Sequence, residues 1–248
     1  IIVSGISYSI NADGMTASVE RCEDREMVAA VIAGSVRIGT REYPVVAIRD
    51  CAFEYCKSMH SVKIPESVKS IGDMAFANSG LKSVVVTKNV ISIGVNPFLG
   101  CENLCSIVVD ERNSVYDSRE NCNAIIETGS NVLIAGCKNS TIPDSVTGFG
   151  DKAFYGTHLS WIEFSDNVRF INNGSFGFCN FSSLVIPSNV EKIAPDAFIG
   201  SRELASIVVA EDNAVYDSRE NCNALIETAT NILVLGCRNT TIPNSVVG

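Results

Sequence analysis

The sequence predicts an α/β repeat solenoid, a right-handed curved rod. Short parallel strands alternate with short helical turns, β-hairpins are inserted, and a β cap covers the N-terminal end. Three observations predict it. First, Asn113–Thr128 (NSVYDSRENCNAIIET) returns as Asn213–Thr228 (NAVYDSRENCNALIET), 100 residues later, with only Ser114 to Ala214 and Ile125 to Leu225 changed. Second, a Phe behind a small residue recurs at Phe53, Phe76, Phe98, Phe154, Phe176 and Phe198, in steps of 23, 22, 56, 22 and 22. The long step is one 22-residue unit plus 34 further residues. Third, each unit opens on a short run rich in Val and Ile, which suits parallel ladders between stacked coils.

Residues 1–44 lie outside the repeat and are expected to form the N-terminal β-hairpin cap. Ile2–Ile10 and Met15–Arg21 alternate apolar and polar residues around Asn11-Ala-Asp-Gly14, the pattern of a hairpin. Glu26–Ile38 and Tyr43–Ile48 read as further strands. The first coil of a stack would otherwise expose its apolar end, so a distinct cap is needed there.

Residues 45–248 are expected to form the repeat array. Its strands are Ser61–Pro65, Ser83–Thr87, Ser106–Asp110, Trp161–Ser165, Ser183–Pro187 and Ser206–Ala210, with truncated partners at Asn139–Pro143 and Asn239–Pro243. Pro at a strand end stops pairing. A turn ending in Ile71, Ile93, Phe149, Ile171 or Ile193 follows. Asp50, Asp73, Asp151 or Asn173 then precedes the small-Phe pair, where it can cap one helical turn while the Phe drops into the core. Stacking coils of this kind places Phe76, Phe98, Phe154 and Phe176 in one buried column. Three residues past each Phe stands Cys56, Ser79, Cys101, Thr157, Cys179 or Ser201, which implies a tight interior slot.

Long hairpin-containing units are expected near 111–143 and 211–243. Ala124–Thr128 and Asn131–Cys137 flank Gly129-Ser130. A turn centred there sets Cys122 opposite Cys137, and a turn at Ala229-Thr230 sets Cys222 opposite Cys237. Two disulfides or four buried thiols both satisfy this spacing. Asp117, Glu120, Asn121 and Asn123, repeated at 217, 220, 221 and 223, offer oxygens but lack the regular spacing of a calcium loop, so turn formation is the simpler reading.

The pattern in Ile64-Pro-Glu-Ser-Val68 followed by Ile71-Gly-Asp-Met-Ala-Phe76 resembles the BspA-like leucine-rich repeat family. So does the VYDSRENCNAIIET element with its GCKNSTIPDSV continuation. The resemblance runs from about Pro44 to Gly248. It implies a secreted or surface protein of a host-associated bacterium, and an adhesin-like role against host matrix proteins or other cells. It carries over no binding residues.

Composition narrows the classes. Of 248 residues 46% are hydrophobic and 19% charged, which leaves ample apolar surface for a core. The net charge is -9 and no basic run exists, which argues against nucleic acid. No apolar stretch reaches the roughly 18 residues of a membrane helix. The ten cysteines include no CxxC pair, so a structural zinc site is not indicated. His60 and His158 sit at unrelated unit positions, and no nucleophile or phosphate loop accompanies them; no catalytic residue, metal or cofactor is assigned. The chain begins at Ile1 without Met, so a leader is expected to have been removed.

Alternation within the strands sends Lys63, Val85, Val108, Thr141, Glu163, Val185, Val208 and Thr241 outward, with Trp161 flanking the same face. An apolar stripe with one aromatic anchor is a candidate binding surface for protein or glycan on host or neighbouring cells. The alternative is a structural spacer or self-assembling domain, with a homo-oligomer as its product; Val also simply suits strands.

Overall fold

A computed structural model describes residues 1–247. Ile6–Ile10 and Ala17–Cys22 form the expected antiparallel hairpin. Its turn closes with the Asn11 N–H donating to Thr16 O at 2.8 Å. The Asp13 carboxylate accepts from the N–H groups of Met15 and Thr16. The run Glu26–Ile38 is not one strand. It breaks into Ala29–Val31 and Ser35–Ile38, and the two halves join different partners. Ala29–Val31 pairs in parallel with Ser61–Lys63, while Ser35–Ile38 pairs antiparallel with Arg41–Ile48.

Before the first inserted hairpin, each unit adds a strand to one or both of two parallel ladders. One runs through Ala29–Val31, Ser61–Lys63, Ser83–Val86 and Ser106–Val109. The other joins Arg41–Ile48, Ser70–Ile71 and Ser92–Ile93. Beyond the first inserted hairpin the second ladder restarts as Val132–Gly136, Gly148–Phe149, Phe170–Ile171 and Lys192–Ile193. The first restarts only as Ser183–Ile186 with Ser206–Val209. Trp161–Ser165, expected as a strand, is not one, and neither are Asn139–Pro143 and Asn239–Pro243. Thr141 shows why for the truncated segments: its N–H donates back to Cys122 O at 3.0 Å, into its own hairpin unit.

The expected helical turns are also absent. Among the described residues the only helices are the three-residue 3-10 turns Arg119–Asn121 and Arg219–Asn221. The residue after each Asp takes a left-handed backbone, with φ of 57° at Cys51, 50° at Met74 and 57° at Lys152, which ends a right-handed helix at its first step. The amides then alternate. Ala52, Glu54 and Cys56 donate to carbonyls three residues back, whereas Cys51, Phe53 and Tyr55 donate to Asp73, Ala75 and Ala77 of the next coil. All are satisfied, half within the coil and half along the stack. The Asp serves the stack too: Asp50 Oδ1 accepts from the Asp73 N–H, and Asp73 Oδ1 from the Val95 N–H, each at 2.8 Å.

The Phe side chains stack, but in two columns. Phe53, Phe76 and Phe98 lie 5.3 and 5.9 Å apart; Phe154, Phe176 and Phe198 lie 5.3 and 5.5 Å apart. Each stacked pair adds about 0.5–1.5 kcal/mol to its burial. The hairpin Ala124–Glu127/Val132–Gly136 interrupts the column. Gly136 takes the place a Phe holds elsewhere: its N–H donates to Ala153 O, as the Phe53 N–H donates to Ala75 O. It carries no side chain because the Phe154 ring already fills that space.

Candidate functional site

The outward positions sit where alternation puts them. Val85 and Val108 are direct neighbours in register, as are Val185 and Val208. They are 45–60% exposed, and Lys63 and Glu163 are exposed as well. Trp161 is the most exposed large apolar side chain among the described residues, at 65%. The structure does not gather them into one stripe. Lys63, Val85 and Val108 belong to one ladder, Val185 and Val208 to another, and Trp161 and Glu163 lie on the unpaired segment between. Sequence reasoning missed Val31, which is 60% exposed and in register with Lys63, so it extends the first patch. Sequence held no alternation to mark it, since Ala29-Ala30-Val31 is apolar throughout and only its burial alternates.

Two grooves flank the Trp161 segment. One, of about 320 Å³, lies toward Thr141 and Asp144. The other, of about 640 Å³, lies toward Val185, Pro187 and Asp212.

The cysteine pairing is corrected by a bulge. Near the turn, Glu127 opposes Val132 and Ile126 opposes Leu133, the register that would carry Cys122 to Cys137. A shift between Ile125 and Ile126 then sets Ile125 against Ala135 and Ala124 against Gly136. Cys122 and Cys137 leave register and turn to opposite sides of the hairpin, one into each hydrophobic cluster. Both are free thiols, and so are Cys222 and Cys237, whose hairpin carries the same bulge. Burial pushes the thiols of Cys122 and Cys137 up from their ordinary range. Burial also raises Cys101 to about 11 and Cys179 to about 12. Their S–H groups donate to Phe76 O and Phe154 O of the preceding coil. Thiols held this far from ionisation are packing groups.

The oxygen-rich loop is a scaffold for its own turn. The Asp117 carboxylate is held by Arg119, with Nε at 2.8 Å, and by Thr128 Oγ1 at 3.0 Å. Glu120, Asn121 and Asn123 supply the left-handed backbone, at φ of 58°, 53° and 52°.

These features decide the family. The model of the BspA type leucine-rich repeat region matches in six copies, over residues 39–128 and 134–245. The chain belongs to this family. The break in the match falls on the turn of the first inserted hairpin. Two solved structures, PcpA and the Eubacterium ventriosum protein, share the fold at low identity. The pneumococcal vaccine antigen PcpA is 13% identical, with 86% of this chain and 82% of that one covered at a TM-score of 0.50. A leucine-rich repeat protein from Eubacterium ventriosum is 19% identical, with 84% and 70% covered at 0.50. A leucine-rich cell surface protein from Faecalibacterium prausnitzii is 19% identical, with 84% and 87% covered at 0.46. No curated protein matches the sequence. The BspA-type repeats here use many short strands and almost no helix, and none of the helices among the described residues is long and apolar enough to cross a membrane.

Proposed function

We propose that this BspA-type chain is a non-enzymatic binding module, secreted or displayed on a bacterial surface, with an adhesin-like role. It recognises protein or glycan on host or neighbouring cells through Lys63, Val85, Val108, Trp161, Glu163, Val185 and Val208. The observation that carries this reading is the exposure of four register-matched valines together with the chain's single Trp. Solvated Val offers no gain to the monomer, whereas an apolar patch loses water when a partner covers it. In the same reading residues 1–44 cap the first coil, and residues 45–248 stack as a right-handed curved rod, with the exposed strands on its broad side.

The test is a combined Val85→Thr, Val108→Thr, Val185→Thr and Val208→Thr variant, assayed against immobilised matrix proteins and glycan arrays. Thr keeps β-branching, so the thermal midpoint should hold while binding falls. Undiminished binding would remove this surface from consideration. A self-assembling or spacer domain is the second reading, because a second copy covers the exposed valines as well as a foreign partner does. A sedimentation profile that shifts with concentration would select it.

A further inference from the structure

Asn173 stands where neighbouring coils carry Asp, and it lacks the bond that those Asp side chains make. Asp50 Oδ1 accepts from the Asp73 N–H and Asp73 Oδ1 from the Val95 N–H, so each carboxylate reaches the residue at its own place in the next coil. Asp151 Oδ1 accepts in the same way from the Asn173 N–H, at 3.2 Å. The series stops there. The residue placed to donate to Asn173 Oδ1 is Pro195, which has no N–H. Among the described residues the Asn173 side chain forms no hydrogen bond, and the residue is exposed.

The amide that follows is unpaired as well. Cys51, Met74 and Lys152, each next to an Asp, donate to Asp73 O, Val95 O and Asn173 O of the next coil. Gly174 is their counterpart, and its N–H has no acceptor among the described residues. Gly174 is buried, where an unmet donor is costly. Asn173 is thus held from one side. Its N–H and C=O both bond to the preceding coil, and nothing in the next coil holds its side chain or the amide after it. Gly174 has φ of 59° and no Cβ to shield its nitrogen from the Asn173 side chain. This is the one Asn-Gly pair in the sequence. Asp13-Gly14, the one Asp-Gly pair, could close the same ring but is fastened. Its carboxylate accepts from the Met15 and Thr16 N–H groups and from Thr16 Oγ1, and the Gly14 N–H donates to Asn11 O at 2.9 Å.

We propose that Asn173 is a self-modifying site, converted in the folded chain to aspartate and isoaspartate with water as the sole co-reactant. The Gly174 nitrogen gives its proton to water and attacks Cγ of Asn173. A bond forms between Cγ and the Gly174 nitrogen, the bond between Cγ and Nδ2 breaks, and Nδ2 takes up a proton and leaves as ammonia. The product is a cyclic imide. Ring closure consumes the unmet N–H, because the imide nitrogen carries no hydrogen. Water then adds to either ring carbonyl. Addition at Cγ restores the ordinary main chain and gives Asp, the residue that Asp50, Asp73 and Asp151 already supply at this place. Addition at the main-chain carbonyl gives isoaspartate, whose main chain runs through Cβ and Cγ and is one methylene longer. No electrons are transferred: the asparagine side chain and one water give one carboxyl group and one ammonia. Either product adds a negative charge. Isoaspartate also displaces the carbonyl that accepts from the Lys152 N–H at 2.9 Å, beside the stacked rings of Phe154 and Phe176.

The test incubates the folded chain at mildly alkaline pH and follows it by anion exchange, ammonia release and tryptic mapping. Cleavage after Arg169 and Lys192 isolates Asn173 in the peptide 170–192, where an isoaspartyl methyltransferase labels the isoaspartate. A more acidic species is expected to accumulate with ammonia, with both products at position 173. Folded conversion should run within about tenfold of the rate in urea, because a side chain held by nothing needs little local opening. Asn173→Gln should abolish the acidic species. Pro195→Val restores an N–H where Val95 has one, and should slow folded conversion about two- to tenfold, the effect of one hydrogen bond, while leaving the rate in urea unchanged. The proposal is overturned if Asn173 stays intact in the folded chain while the urea sample converts. An acidic species that persists in Asn173→Gln overturns it as well, and so does an unchanged folded rate in a Pro195→Val variant that keeps the parent's thermal midpoint. Should that variant fail to fold, the comparison of folded and urea-treated parent decides alone.

Discussion

The hairpin elements at 111–143 and 211–243 are nearly the same sequence in two different settings. Their internal geometry is the same. Asn113 Nδ2 donates to the Thr87 and Val90 carbonyls and Asn213 Nδ2 to those of Pro187 and Val190, all at 2.8–3.1 Å. Tyr116 OH accepts from the Ile93 N–H as Tyr216 OH does from the Ile193 N–H. Both strand pairs carry the bulge at the same place. Burial differs. The first hairpin is a layer between two large clusters: Ile125 and Ala135 face one, while Ala124, Ile126 and Leu133 face the other. The second shares the large cluster on its near side through Leu225. On its far side, among the described residues, it has only Cys222, Ala224 and Ile226, with Leu233 and Val246 half-buried. The residues of an element thus fix its own shape and its grip on the preceding coil. How much each side chain stabilises the chain is set by what stacks beyond it, as expected where stability is a sum of units and nearest-neighbour interfaces.

The sharpest way to break that comparison is to cut the same side chain from both copies. Leu133 is fully buried, whereas Leu233 is only partly buried. Leu133→Ala should cost about 2–5 kcal/mol by transfer and cavity terms together. Leu233→Ala should cost about half of that or less, because fewer atoms surround the void. Urea unfolding of the two variants against the parent measures both. Equal shifts in midpoint would mean that neighbour packing does not set the energy.

A smaller and opposite perturbation adds one methyl group. A Cβ at Gly136 would overlap the Phe154 ring, while at Gly236 the nearest atom outside the adjacent residues is Thr240 Oγ1, 3.3 Å away. Overpacking costs about 1–3 kcal/mol, so Gly136→Ala should lower the unfolding midpoint clearly. Gly236→Ala should stay within about 0.5 kcal/mol of the parent. A tolerated Gly136→Ala would show that the hairpin does not seat on Phe154 and that the two Phe columns are joined some other way.

The period was legible because one Phe per unit must be buried at each level, and burial at a fixed spacing leaves a mark in the sequence. The outward positions of Lys63, Val85, Val108, Val185 and Val208 followed from strand alternation alone. The missing helices were not legible. Asp before a small-Phe pair suits a helix cap as well as it suits a carboxylate serving the next coil, and only the left-handed backbone at Cys51 or Met74 separates the two. The bulge at Ile125–Ile126 was equally hidden, since neither residue favours one, and with it went the facing cysteines. The loss of the strand at Trp161–Ser165 had a partial signal in Phe164, an aromatic at an inward position where the other coils carry Ile or Val. Sequence showed the extra volume; that strand pairing is lost in one ladder while the other stays paired is a property of the stack.

The smallest effect concerns what should be equal. Asp117 and Asp217 each hold their own Arg two residues on, and both carboxyls titrate below their ordinary value of 3.8. At Asp117 burial opposes the lowering and the Arg119 and Thr128 hydrogen bonds outweigh it; at Asp217 the Arg219 hydrogen bond is the leading cause. A carboxylate with a lowered folded pKa stabilises fully above its unfolded value. That stability is lost as pH falls from about 4 toward the lower folded value. Both side chains are a little over one quarter exposed, so solvent screening holds each pair to about 0.3–1 kcal/mol. Asp117→Asn and Asp217→Asn should therefore destabilise by similar small amounts at pH 7, and each difference from the parent should vanish in acid. The bond that differs is Arg119 Nη1 to Ser145 Oγ at 3.1 Å, where the second copy has Arg219 Nη1 on Asn231 alone. An Asp117→Asn cost several times that of Asp217→Asn would mean that even the internal bonds of a repeated element draw their strength from the neighbour, and that the split between shape and energy drawn from the two hairpins is too clean.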